Sequence, residues 1–171
     1  MYKETQRFKQ AWIWVILSLA GLLILGFFGY DIYEQIVLKK KLSNNPVSDT
    51  ELIVIFLIVF LFFLFLIALF AFARLTTVID KSSIQFRFFP FHMRYKQYAW
   101  DQIAKYELIG YHPIKDYGGW GIRFGKMGKA YTVSGNKGLQ VHLKSGKRFL
   151  LGTQNVEELK TFLSHQVKHL H

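Results

Sequence analysis

LIVIFLIVFLFFLFLIALFAFARLTTVIDKSSIQFRFF, residues 52–89, changes character at a single position. Residues 52–73 are uncharged and apolar on every helical face, where a surface helix of a soluble domain shows one apolar stripe. At 1.5 Å per residue such a run crosses the roughly 30 Å hydrocarbon layer of a bilayer. Arg74 ends it, and the period then falls to two. Ile84, Phe86 and Phe88 alternate with Gln85 and Arg87, the pattern of strands with one wet face. A membrane helix followed directly by a β-rich domain is the expectation.

Toward the N-terminus, residues 11–30 (AWIWVILSLAGLLILGFFGY) form a second uncharged run. Trp12, Trp14 and Tyr30 lie near its ends, where amphipathic rings favour the headgroup boundary. Lys3, Arg7 and Lys9 precede it as the n-region of a signal peptide would, but the run is too long for one and no small-x-small cleavage site precedes a polar start. Two transmembrane helices, at about 11–30 and 52–73, are therefore expected within an anchor of residues 1–74. Between them SNNP, residues 43–46, reads as a turn, and residues 31–42 as a short extension of the first helix.

Lys3, Arg7 and Lys9 flank the first run, and Arg74, Lys81, Arg87, Arg94 and Lys96 follow the second. By the positive-inside tendency both termini are expected in the cytoplasm. Neither run contains an ionisable residue, which argues against an ion path, a proton path or an intramembrane catalytic site. Ser18, Gly21, Gly26 and Gly29 lack the four-residue spacing of a dimer motif and suit close packing of the two helices in one chain.

The net charge is +11, and from Arg74 onward 16 Lys+Arg stand against 6 Asp+Glu. A basic domain tethered to a bilayer is expected to meet acidic partners, anionic headgroups before others. Nucleic acid is not expected, because the cations are not interleaved with a recognisable stacking motif. The absence of cysteine excludes disulfides, thiolate metal sites and cysteine nucleophiles.

Residues 75–171 read as a run of short strands. After the alternation at 84–88 come Met93 and Tyr95 alternating with Arg94 and Lys96, a two-sided strand at 100–111, and strands at 121–124, 130–133, 138–143 and 148–151. Lys144-Ser145-Gly146-Lys147 suits a tight hairpin between the last two. HPIKDYGGWG, residues 112–121, reads as a long loop. A helix at about 155–168 closes the chain, with Asn155 as its cap, Glu158 reaching back to the cap amide, and Val156, Leu159, Phe162, Leu163 and Val167 as its buried stripe. About seven antiparallel strands closed by one C-terminal helix is the layout of a pleckstrin-homology-like (PH-like) barrel.

The motifs Trp100-Asp101-Gln102-Ile103, Gly118-Gly119-Trp120-Gly121-Ile122-Arg123, Ser134-Gly135-Asn136-Lys137-Gly138 and Gly152-Thr153-Gln154 resemble the C-terminal part of small bacterial membrane proteins that have two spans and a PH-like domain. The resemblance implies that fold and a bacterial inner-membrane address. It brings no catalytic residue and no ligand with it.

The glycines at 118–128 fit neither a Walker loop nor a dinucleotide fingerprint, since Trp120, Arg123 and Phe124 occupy the required glycine positions. Tight turns explain them better. His165 and His169 share a helical face with His171 close by, but a third ligand on a rigid element is missing, so no metal is expected. His112 and Asp116 imitate an acid–base pair without a nucleophile or oxyanion donor. No cofactor and no catalysis are expected. The functional candidates are the cations of the glycine-rich half, Lys115, Arg123, Lys126, Lys129 and Lys137, together with Trp120, which either reaches the headgroups or packs within the domain. The expected function is a non-enzymatic, membrane-anchored binding or scaffolding module touching anionic lipid or a protein partner. The alternative is an accessory subunit of a larger transport or secretion complex.

Overall fold

The computed structural model describes residues 1–40 and 47–167. The expected turn at 43–46, His169, His171 and the last residue of the expected helix lie outside the described residues. Two compact units divide the chain: residues 9–71, which are helical, and residues 1–8 with 72–171, which are mainly β.

The helical unit holds α1 (Ala11–Ile32), continued by a π-helical turn (Tyr33–Val37), and α2 (Asp49–Phe72). Both helices are long and apolar enough to cross a membrane. α2 ends at Phe72, one residue inside its expected bound. Its start at Asp49 and the run of α1 on to Ile32 lie outside the expected 52–73 and 11–30, because polar residues there continue the helical hydrogen bonding beyond the apolar core. At the start of α2 a capping box does this: Ser48 Oγ accepts the Glu51 amide at 3.3 Å, and Glu51 Oε2 accepts the Ser48 amide at 3.0 Å. Gly21 faces the Phe63 ring of α2, so the small residue does serve close packing within the chain; Gly26 and Gly29 face open space.

The β unit corrects the expected boundary. β1 (Tyr2–Arg7) pairs antiparallel with β2 (Arg74–Ile79), so the first residues belong to the β unit and not to the anchor of 1–74. The physical reason is an inward row, Tyr2, Glu4, Gln6 and Phe8, all buried, alternating with exposed Lys3, Thr5, Arg7 and Lys9. Glu4 is only 6 % exposed and is satisfied without a cation: it accepts the Tyr2 hydroxyl at 2.6 Å, the Thr153 hydroxyl at 2.8 Å and the Gln154 amide at 2.8 Å. Gln6 Nε2 donates to the Gly152 carbonyl at 2.6 Å. Burial, followed by the bond to Glu4, pushes the Tyr2 phenol well above its ordinary range.

β2 continues into β3 (Ser83–Phe89) and β4 (Lys96–Ala99), completing a four-stranded meander, β1-β2-β3-β4. A second sheet holds β5 (Ile103–Gly110), β6 (Gly121–Gly125), β7 (Gly128–Thr132), β8 (Lys137–Leu143) and β9 (Arg148–Gly152) in the order β5-β8-β9-β7-β6. Among the described residues the β unit has nine strands, β1 and eight from Arg74 onward where about seven were expected, and β7 and β9 run parallel where an all-antiparallel layout was expected. No ladder joins the two sheets among the described residues, so they do not close into one barrel.

They meet through aromatic rings instead. Phe86 of β3 lies 4.6 Å from Tyr131 of β7 and 5.3 Å from Phe149 of β9, which in turn is 5.0 Å from Tyr98 of β4. Three local expectations also change. Met93–Tyr95 is a turn rather than a strand, because the chain must reverse after Phe89 and pairing resumes only at Lys96 opposite Phe86. Trp100–Gln102 is a 3₁₀ turn whose indole donates to the Asp80 carbonyl at 3.0 Å, and the long loop holds a short helix α3 (Pro113–Tyr117).

The chain ends in α4 (Val156–Val167), with Leu159 and Leu163 buried and Val156 and Phe162 half-buried; the Val167 side chain lies outside the described residues. Its expected capping box is replaced: the Asn155 amide donates to Thr153 Oγ1 at 3.1 Å, not to Glu158. Phe162 packs 6.3 Å from Tyr2, so the first strand lies against the last helix.

Candidate lipid- or partner-facing site

The six residues singled out in the sequence are distributed over several elements. Lys115 is exposed on α3, which closes onto the β6–β7 turn: a side chain at Gly125 would meet the Asp116 carbonyl oxygen at 2.5 Å and the Tyr117 ring. That close approach explains the glycine, and it brings Lys115 and exposed Lys126 onto adjoining elements. Gly118, with φ 70°, ends α3 in the left-handed conformation, so the glycine-rich stretch serves turns. Asp116 takes the His112 backbone amide at 2.7 Å, which fixes the first turn of α3 and explains the apparent acid–base pair.

Trp120 and Arg123 are brought together. The indole donates to the Gly135 carbonyl at 2.9 Å, and Arg123 Nε donates to the Trp120 carbonyl at 3.2 Å. Trp120 is half-buried, held at the rim of the unit, while Arg123 and Phe124 are exposed on the edge strand β6. Lys137 opens β8 and lines an open cleft that it shares with Glu157 and Glu158, so its charge is not part of a purely basic surface.

Lys129 belongs to a cluster that sequence reading missed. Its ammonium lies 4.7 Å from the Phe124 ring centroid and 5.6 Å from that of Tyr131, while Lys96 Nζ donates to the Tyr131 hydroxyl at 3.1 Å. His92 stands 5.5 Å from the Tyr131 ring, and its buried Nδ1 has no hydrogen-bond partner. No described carboxylate pairs with Lys96 or Lys129. Burial first, and then these two ammonium groups, hold the His92 imidazole below its usual range. Burial raises the Tyr131 phenol, and Lys129 opposes the rise. Three cationic or ionisable groups from the β3–β4 segment and β7 thus converge with uncompensated positive potential. Only the alternation of cations with aromatics in FHMRYK, residues 91–96, hinted at this, and it was masked by its fit to a strand.

No group of three His, Cys, Asp or Glu able to hold a metal occurs among the described residues. No family model matches the chain, and neither a curated protein nor a solved structure matches it.

Proposed function

We propose that the chain is a non-catalytic module of the bacterial inner membrane, anchored by α1 and α2, with a PH-like β unit that binds anionic lipid headgroups on the cytoplasmic side. One observation carries the reading: the whole positive excess belongs to the β unit. Residues 9–71 hold 4 Lys+Arg and 4 Asp+Glu, whereas residues 1–8 with 72–171 hold 18 and 7. The β1–β2 ladder supports it further, since the strand that leads into α1 and the strand that follows α2 are neighbours in one sheet, with Arg7 and Arg74 as register partners. The two sheets with a C-terminal helix support the PH-like comparison, while the parallel β7–β9 pair sets this unit apart from a simple version of it.

The test uses the full chain, because a fragment starting at Thr76 lacks β1. Solubilised in mild detergent, it is expected to retain phosphatidylglycerol over phosphatidylcholine in a salt-sensitive way. Each cation near an anionic surface contributes about 1 kcal/mol, so Lys126→Glu with Lys129→Glu should weaken retention by about tenfold or more. Equal retention of both lipids, with a stoichiometric protein co-purifying, would replace this reading by that of an accessory subunit.

A further inference from the structure

Phe91, Met93 and Tyr95 are 59 %, 72 % and 40 % exposed on the turn between β3 and β4. Large apolar side chains gathered on one exposed turn mark a docking or membrane surface more often than a solvated one. Phe91 leans on Phe88 at 5.9 Å, the Arg87 guanidinium lies 4.8 Å from the Tyr95 ring, and the His92 amide closes the turn onto the Phe88 carbonyl at 2.7 Å. The turn is therefore held in shape with its apolar side chains outward. Residues 81–100 carry four Lys/Arg and no Asp or Glu.

The register gives the turn its address. Arg7, Arg74 and Phe89 form one row across β1, β2 and β3. Only residues 8–10 separate that row from α1, and only Ala73 separates it from α2. Phe89 is two strand spacings from Arg7, about 10 Å. The residues after Phe89 leave the sheet at the edge from which the chain passes into both apolar helices.

We propose that residues 89–95 (FPFHMRY) are a third membrane attachment: an interfacial loop whose Phe91, Met93 and Tyr95 rest among the headgroups of an anionic leaflet, with Arg94, Lys96 and Lys129 meeting lipid phosphates. Aromatic rings and cations are the side chains that the interface favours, and the absence of acids along 81–100 matches a negative surface. The inference rests on the membrane-anchored reading above, and the experiment separates the two. The chain contains no cysteine, so single labels are readily placed. Phe91→Cys, Met93→Cys, Leu22→Cys in α1 and Ser145→Cys in the exposed β8–β9 turn are labelled with an environment-sensitive fluorophore. Each full chain is reconstituted in phosphatidylcholine vesicles with or without phosphatidylglycerol and challenged with spin-labelled lipids.

Labels at 91 and 93 are expected to lose most of their fluorescence in anionic vesicles, as the label at 22 does in both, while the label at 145 keeps its own. Arg94→Glu with Lys96→Glu should reverse the loss at 93. Quenching at 22 without quenching at 91 and 93 overturns the loop and leaves the anchor standing. Quenching at 93 that ignores the charge reversals overturns the phosphate contacts. No quenching at any position overturns the membrane reading and the loop with it.

Discussion

The helical unit and the β unit are specified in different ways. In α1 and α2 nearly every residue repeats the same instruction, an uncharged apolar side chain, and Leu22 is 72 % exposed on a helix long and apolar enough to cross a membrane, where a lipid surrounding would be as apolar as a protein core. In the β unit the instruction is carried by pairs far apart in the chain. Glu4 and Gln6 are polar, yet buried, because residues 152–154 give Glu4 hydrogen-bond donors and Gln6 Nε2 its acceptor. Composition suffices where the surroundings are uniform; where every polar group needs its own partner, pairing decides.

The largest expected effect comes from removing residues 2–8. Burial of an aromatic side chain stabilises by about 1.5–3 kcal/mol, so losing Tyr2 and Phe8 alone costs about 3–6 kcal/mol, comparable to the whole stability of a small domain. Limited proteolysis should find the β unit cut rapidly while alkaline extraction still leaves the chain in the membrane. A β unit that stays resistant would break the comparison. Next in size, Phe86→Ala at the junction of the sheets is expected to cost about 3–5 kcal/mol. Leu22→Ala should stay within about 0.5 kcal/mol. Denaturant melts read by tryptophan fluorescence compare the two, and equal losses would contradict the division.

The smallest effect concerns pH. The folded state holds His92 neutral, below its ordinary value of 6.5, through burial and the facing Lys96 and Lys129. On acidification the unfolded chain takes up this proton first, so the contribution is present above about pH 6.5 and is lost as pH falls through the lower folded value. Thermal melts at neutral and mildly acidic pH should show the β unit weakening, and His92→Phe should flatten that slope. An unchanged slope would remove His92 from the account.

Particular residues show how far reading went. The alternation at 84–88, the hairpin at 144–147 and the buried Leu159 and Leu163 were legible because an apolar period announces a core face. β1 was not, since its inward row holds Glu4 and Gln6, and Lys3, Arg7 and Lys9 read as membrane-flanking cations. Of the candidate site, Trp120 with Arg123 and Lys115 near Lys126 come from neighbouring sequence and were found together. The Lys96–His92–Tyr131–Lys129 cluster joins segments from two sheets, and the alternation at 91–96 does not by itself announce its meeting with β7.

By itself the sequence determined the two apolar helices, the change to strands at Arg74 and the basic character of the C-terminal hundred or so residues, because each rests on local composition and period. Only the tertiary structure decided that the N-terminal segment completes the β unit, that β7 and β9 run parallel, and that the turn after Phe89 lies in the row of the helix stems. Each of those depends on hydrogen-bonded register between residues distant in the chain, which no local pattern encodes.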